Sequence, residues 1–279
     1  MSTAGRMARG KARAGRIGFG EAVSFVCAHF KFNLASAMEY RWSFASQIVL
    51  MAVNDFMLLF FWWLIFSRVP DIAGWTFRDV ITMQSVVALA FGLNVSVFGN
   101  LHRIPQLIAR GQLDYYLLLP KDPLLHMLVS RSDMSGFGDM AFGIAAFMMF
   151  TPVSWQRIIL FLATGLAAAT VYASFVTVAG SLAFLMGNAQ TVGAQLAQAM
   201  VTFSGYPGSL FKGAVRALLY SAIPVGFFAY VPVELLRNFS WLLFAGLMAF
   251  AACSAIAARA LFRAGLRRYE SGNLMTVRA

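Results

Sequence analysis

The sequence predicts an all-α integral membrane protein with six transmembrane helices, and three observations lead to that prediction. Hydrophobic residues make up 60% of the chain and charged residues only 12%, against about 25% in soluble domains. The mean hydropathy is +0.71. Apolar runs of about 20 residues, the length that crosses a bilayer, recur along the chain. The net charge of +11 lies in tails and loops, which indicates a basic membrane side and not a nucleic-acid partner.

The first 40 residues predict two elements before the first span. Residues 1–18 are basic and no apolar stretch follows them, so they predict a disordered cytoplasmic tail and not a cleavable signal. Residues 19–40 carry apolar side chains at spacings of three and four, which predicts an amphipathic helix lying in the inner membrane interface. The alternative is a cytosolic helix packed on a partner subunit. The periodic residues are Phe19, Val23, Val26, Phe30, Leu34 and Met38.

Residues 41–265 predict the six-span domain, and residues 266–279 a cytoplasmic tail. Before the last span, Leu218–Val231 is too short to cross and is broken by Pro224 and Gly226. It predicts a pair of short re-entrant helices, since irregular backbone at that depth must be buried in protein or line a cavity. Six spans put both termini on one side, and the excess of Lys and Arg there makes that side cytoplasmic. The predicted spans are Trp42–Phe66, Val80–Leu101, Asp133–Thr151, Gln156–Leu185, Val192–Phe211 and Phe239–Leu261.

The segment Arg103–Pro123, between the second and third spans, predicts a short amphipathic helical element at the membrane surface. Its apolar residues can pack into a groove of a partner, and its charged residues can make polar contacts at the rim. Gly111 and Pro120 would set the bends. The alternative is an amphipathic loop that rests on lipid. The apolar set is Ile104, Leu107, Ile108, Leu113, Leu117 and Leu118, and the charged set is Arg103, Arg110 and Asp114.

Two acids, Asp55 and Asp139, fall near the middle of predicted spans. Carboxylates inside a membrane are costly and are functional candidates by default. Together with the rings of Phe56 and Trp63 they could bind an amphiphilic or aromatic cation. The alternative is that the acids hydrogen-bond neighbouring helices through Asn54 and Ser135, and that the rings face lipid or core. The three histidines and two cysteines lack metal-ligand spacing, so we expect no metal site and no catalytic residues in this chain.

Four short motifs resemble the ABC-2 type permeases, the membrane subunits of a class of ATP-binding-cassette exporters. The resemblance is closest to a bacterial branch in which Gly-x-Leu-Asp precedes a Leu-rich run and Pro, and it covers nearly the whole chain from about residue 20. The motifs are RGQLDYYLLLP at 110–120, SGYP at 204–207, IPVGFFAYVP at 223–232 and GLRRYESGN at 265–273.

The resemblance implies a complex of two permeases and two ABC ATPases in the bacterial cytoplasmic membrane, with both termini cytoplasmic. The second permease is either a related chain or a second copy. Residues 102–119 would then be the coupling helix on which the ATPase pushes. No G-x-x-x-x-G-K-[ST] stretch occurs, so ATP and Mg belong to the partner and this chain is expected to bind no cofactor.

The expected function is export of a small hydrophobic or amphiphilic compound, in one version a cationic drug-like one, powered by the separate ATPase. Two alternatives remain open on the sequence. One is an ion-coupled multidrug carrier, although no internal repeat of the kind common in such carriers is evident. The other is an ABC-type exporter of lipid or polysaccharide.

Overall fold

The computed structural model describes residues 19–186 and 189–269, and within them the chain is helical apart from turns and one isolated bridge between Ile72 and Trp75. Short 3-10 turns cover Leu101–Arg103, Leu182–Phe184 and Gly208–Leu210, and a π-helical turn covers Gly226–Tyr230. The α-helices are α1 Phe19–Glu39, α2 Arg41–Phe66, α3 Phe77–Val97, α4 Ile104–Ala109, α5 Leu113–Leu117, α6 Pro123–Val129, α7 Gly136–Phe150, α8 Trp155–Ser181, α9 Ala189–Ser204, α10 Gly213–Tyr220, α11 Val231–Arg237 and α12 Trp241–Leu266.

Four helices among the described residues are long and apolar enough to cross a membrane. They are α2, α3, α8 with its 3-10 extension, and α12. The predicted third and fifth spans correspond to α7, with 15 residues, and α9, with 16. At 1.5 Å per residue these reach only about 22–24 Å, which is less than a bilayer core of about 30 Å. Length alone therefore supports four of the six predicted spans.

Local chemistry explains where the ends differ from the prediction. Helix α3 begins three residues early because Asp79 accepts hydrogen bonds from the Thr76 backbone N–H, at 2.8 Å, and from its hydroxyl, which forms a capping box. Helix α7 begins three residues late because Asp133 accepts from the backbone and hydroxyl of Ser135 and holds that turn. Helix α9 ends at Ser204 and not at Phe211, since Pro207 follows and has no N–H for a helix.

The helices run up and down between two ends. The terminal end comprises residues 19–40, 98–135, 182–186 and 259–269. The far end comprises residues 67–79, 151–154 and 205–240. Each end is tied together by contacts distant in sequence: Asn33 Nδ2 donates to Ser132 Oγ at 3.0 Å in the first, and Arg237 Nε donates to Asp79 Oδ1 at 2.6 Å in the second.

Helix α3 lies at the centre, with most of its residues buried against α7 and α8. Glycines allow α3 and α7 to approach closely: a Cβ on Gly92 would lie 2.5 Å from the Gly136 carbonyl oxygen, and one on Gly143 would lie 2.6 Å from that of Ser85. Small residues are the usual means of close helix packing in membranes. Helices α2 and α12 are peripheral and largely exposed.

Residues 213–237 form two short helical segments, in the region predicted for re-entrant helices. Helix α10 comes first, and the second segment runs through the π-helical turn into α11. Phe228 is fully buried and stacks on Tyr172 of α8 with ring centroids 5.2 Å apart. Phe227 stacks on Phe250 of α12 at 3.8 Å. The second segment is therefore packed inside the protein, as irregular backbone in a membrane requires.

Candidate functional site

The amphipathic element predicted between residues 103 and 123 forms a compact surface unit at the terminal end. It consists of the 3-10 turn, α4, α5 and the N-terminal turn of α6. Gly111 lies between α4 and α5 with φ +69°, a conformation that glycine adopts without steric cost. The predicted bend at Gly111 is therefore present. Asn100 anchors the unit by donating to Ser130 Oγ at 2.9 Å and to the Met127 carbonyl at 3.0 Å.

The apolar side of this unit faces its own chain. Four apolar residues of the unit are buried in the core, namely Ile104, Leu107, Ile108 and Leu113. Ile104 is 0% exposed. Ile104 packs against Gly180 of α8, where an added Cβ would lie 2.9 Å from the Ile104 Cβ. These residues were predicted to pack into a groove of a partner, but their surface is already covered. They fix the unit to the helices.

The outward side of the unit contains three of the residues predicted to contact a partner, Arg110, Leu117 and Leu118, together with Tyr115. Arg110 is exposed, and so are three large side chains that follow it: Tyr115, Leu117 and Leu118, the last with 87% exposure. Arg103 is half-buried and donates to Asn100 Oδ1 at 3.3 Å. A partner that touches this unit therefore meets Arg110, Tyr115, Leu117 and Leu118, which we call the outward face.

Two of the sequence motifs meet beside the outward face. The Tyr269 hydroxyl, from GLRRYESGN, lies beside the Asp114 carboxylate, from RGQLD, and a Cβ on Gly111 would lie 3.8 Å from that hydroxyl. Burial, and then the adjacent Asp114 charge, raise the pKa of Tyr269 to about 12. The hydroxyl therefore keeps its proton at neutral pH and lies next to the carboxylate.

A second junction at the terminal end was not foreseen from the sequence. Asp122 Oδ2 lies 2.6 Å from Arg259 Nη2 and 3.1 Å from Arg263 Nη2. Its Oδ1 accepts from the Leu125 N–H and caps α6. Burial alone would raise the pKa of Asp122, but the Leu125 N–H and the two guanidinium groups outweigh it and lower the pKa. In the sequence, the only indication of a shared partner is the i, i+4 spacing of Arg259 and Arg263.

Helix α1 packs on the same region. Asn33 Nδ2 donates to the Val129 carbonyl at 3.2 Å as well as to Ser132. The rings of Phe25 and His29 lie 5.2 Å from that of His126. Burial, and then the His29 charge, lower the pKa of His126. The predicted apolar face is only partly covered, since Val23 and Met38 stay exposed.

The two predicted mid-membrane acids are brought together. Asp55 of α2 and Asp139 of α7 lie beside one another, and Asn54 lies next to Asp55. Asp139 is only 2% exposed. Helices α2 and α7 are in close contact at the residue before Asp139: a Cβ on Gly138 would lie 2.6 Å from the Ile48 carbonyl oxygen. Ser135, also considered as a partner, donates to Asp133 instead.

The aromatic residues of α2 do not form a cage around this pair. Phe56 and Trp63 lie on the exposed surface of the helix, Phe56 with 60% exposure. Trp62 and Phe66 instead turn inward at the far end, where Trp62 Nε1 donates to the Gly205 carbonyl at 3.2 Å. The structure therefore joins the two acids but separates them from the exposed rings predicted to act with them.

A partly open cavity of about 240 Å³ lies between α3, α4, α8 and α9. Its polar groups are His102, Tyr172 and Gln198, and the Tyr172 hydroxyl lies 3.3 Å from His102 Nε2. The other wall residues are apolar or glycine. Small-molecule sites have this character, a mostly apolar wall with a few fixed polar groups.

The described helices and the compact unit at the terminal end define a multi-span helical membrane protein. The comparison with protein families then places it: the chain belongs to the ABC-2 family of transporter proteins, whose family model matches residues 52–272. It is thus the membrane subunit of an ABC transporter, not itself catalytic, and the family implies association with an ABC ATPase. In the comparisons with curated proteins and with solved structures, nothing matches the chain at a significant level.

Proposed function

We propose that this chain is one of two permeases of an exporter in the bacterial cytoplasmic membrane, with two ABC ATPases bound at the terminal end. In this proposal α7 and α9 complete six spans, both termini are cytoplasmic, and the second permease is a related chain or a second copy. The observation that carries the proposal is the outward face. Three large side chains stay exposed on a unit whose opposite side is fixed in the protein core.

This arrangement suits transmission of a push. Packed interiors do not deform continuously, so a displacement of a rigidly held surface element is passed on to the helices it contacts. The unit contacts α8 and α9 directly through α4. Closure of an ATPase dimer beneath the outward face would therefore move the helices that enclose the 240 Å³ cavity.

The proposed partner contact is tested by Leu118→Asp. We expect this charge in the outward face to reduce copurification of the ATPase by about tenfold or more, since a desolvated carboxylate in an interface is costly. Val69→Asp, a similar change at an exposed residue of the far end, is the control and should retain the ATPase. Equal retention by both variants would exclude the outward face as the docking surface.

For the substrate we propose a small hydrophobic or amphiphilic compound, and a cationic one if the Asp55–Asp139 pair takes part. Support comes from the junction of two membrane carboxyl groups, which is costly to keep without a role. The test is export of a lipophilic cation by Asp55→Asn and Asp139→Asn, with a neutral amphiphile as the comparison. Selective loss of cation export supports the role. Unchanged export of both compounds would limit the pair to packing α2 against α7.

A further inference from the structure

A groove of about 390 Å³ runs along the terminal half of the protein, outside the site described above. Its floor is α8, its sides are α3 and α12, and α6 closes it at the terminal end. Nearly all of its lining is apolar, and small residues of α8 and α12 keep it open: Ala169, Ala173, Ala255 and Ala258. The groove residues on α8 run from Leu166 to Thr177, about 16 Å of helix. That is roughly half of a bilayer core, or one leaflet.

The mouth of the groove carries positive charge. Arg259 lines it, and Arg263 follows one helical turn later. Both bind the single carboxylate of Asp122, and both side chains remain more than half exposed. The two guanidinium groups therefore keep free N–H donors and an unbalanced positive charge. No charged residue lies between Trp241 and Ala258, a stretch of about 27 Å, so Arg259 lies where α12 meets the headgroups.

A buried amide lies at the inner end of the groove. Asn94 of α3 is 1% exposed, and its Nδ2 donates to the carbonyls of Ala90, at 2.8 Å, and Ala169, at 2.9 Å. The hydrogen bond to Ala169 holds α3 against α8, so the wall of the groove is fixed there.

We propose that the groove binds one anionic phospholipid, taken from the leaflet at the terminal end. One acyl chain lies along α8 between α3 and α12. The phosphate accepts hydrogen bonds from Arg259 and Arg263. The site would tie α6, and with it the surface unit, to the membrane. It is separate from the Asp55–Asp139 pair and from the outward face.

The test uses the full chain extracted with its partner subunits, and native mass spectrometry with added phosphatidylglycerol or phosphatidylcholine. We expect phosphatidylglycerol to be retained at least about tenfold more, as charged hydrogen bonds to phosphate predict. Ala255→Leu fills the groove without altering charge and should abolish retention. Asp122→Asn/Arg259→Gln/Arg263→Gln removes the charge at the mouth without leaving Asp122 unpaired, and should do the same.

One control separates this site from general attraction to a basic surface. Arg267→Gln/Arg268→Gln removes charge from exposed arginines of the same region and should leave retention unchanged. Equal retention of both lipids, normal retention by Ala255→Leu, or equal competition by soluble glycerophosphate would overturn the proposal.

Discussion

Near the sequence motifs, the two ends of the molecule make long-range contacts of different chemistry, although the far end also contains the ion pair of Arg237 with Asp79. At the far end, the Gly205 carbonyl of SGYP accepts from Trp62 Nε1 and Gln84 Nε2, both at 3.2 Å. The Tyr230 hydroxyl of the next motif donates to the Phe203 carbonyl at 2.9 Å. At the terminal end, the corresponding contacts are charged: Asp114 with Tyr269, and Asp122 with Arg259 and Arg263.

The difference indicates what each end is built for. The far-end contacts bind backbone carbonyls within a cluster of buried rings, so loss of one leaves an unsatisfied group in an apolar setting. At the terminal end, the two arginines that hold Asp122 are more than half exposed, so they can exchange partners at small cost. The far end is suited to staying closed, and the terminal end to contact with another subunit. The following predictions test this comparison, from the largest expected effect to the smallest.

Phe228→Ala should be the most damaging single change. Phe228 is fully buried and stacks on Tyr172, and truncation of such a ring costs about 3–5 kcal/mol of unfolding free energy. The measurement is the thermal unfolding midpoint of the protein in detergent. Phe239→Ala, at a half-exposed ring of the same end, is the control. Similar losses in both variants would contradict a packed far-end segment.

Leu113 and Leu118 should separate stability from partner binding within one surface unit. Leu113 is fully buried and Leu118 is 87% exposed. Leu113→Ala should lower the unfolding free energy by about 2–5 kcal/mol, whereas Leu118→Ala should leave the unfolding midpoint nearly unchanged and weaken ATPase recovery. Both variants are compared by thermal unfolding and by copurification. A stability loss confined to Leu118→Ala would reverse the assignment of the two sides.

Arg237 tests the charged contact of the far end. Its guanidinium binds Asp79, donates to the Gly74 carbonyl at 3.1 Å and lies 4.8 Å from the Trp75 ring centre. Arg237→Ala should cost about 1–3 kcal/mol in unfolding free energy, because Asp79 loses its charged donor. Arg237→Lys should recover only part of this, since an ammonium lacks the planar fork. If Arg237→Lys had the same unfolding midpoint as wild type, the contact would depend on charge attraction alone.

Asp122 should show the smallest effect, and one that depends on pH. Its pKa is lowered in the folded protein, so its contribution is present above the ordinary value of about 3.9 and is lost as pH falls through the lowered pKa. The contribution should be below about 1 kcal/mol, because both arginines are more than half exposed. The difference in unfolding midpoint between wild type and Asp122→Asn should therefore become smaller as the pH falls below about 4. A gap that is constant with pH would mean that the ion pair contributes nothing.

Hydrophobic run length and charge placement predicted the membrane class and the positions of the long helices. The predicted interfacial helix at 19–40 nearly coincides with α1, and the first span with α2. Of the six apolar residues predicted to meet a partner, Leu117 and Leu118 lie on the outward face, whereas the other four are buried in the protein itself. An amphipathic stretch shows two faces but not which one the protein covers, and burial such as that of Ile104 against Gly180 decides it. The junctions of Asp55 with Asp139 and of Asp122 with Arg259 join residues far apart in the chain, which periodicity cannot reveal.

The Asp122 junction also sets an order for biosynthesis. Its partner Arg259 lies 137 residues further along the chain, which at 5–20 residues per second is roughly 7–27 s of translation. Until then Asp122 caps α6 without a counter-ion, and the groove beside it has no α12 to form its second side. Helix α12, on leaving the ribosome, therefore neutralises the carboxylate and completes the terminal end in the same step.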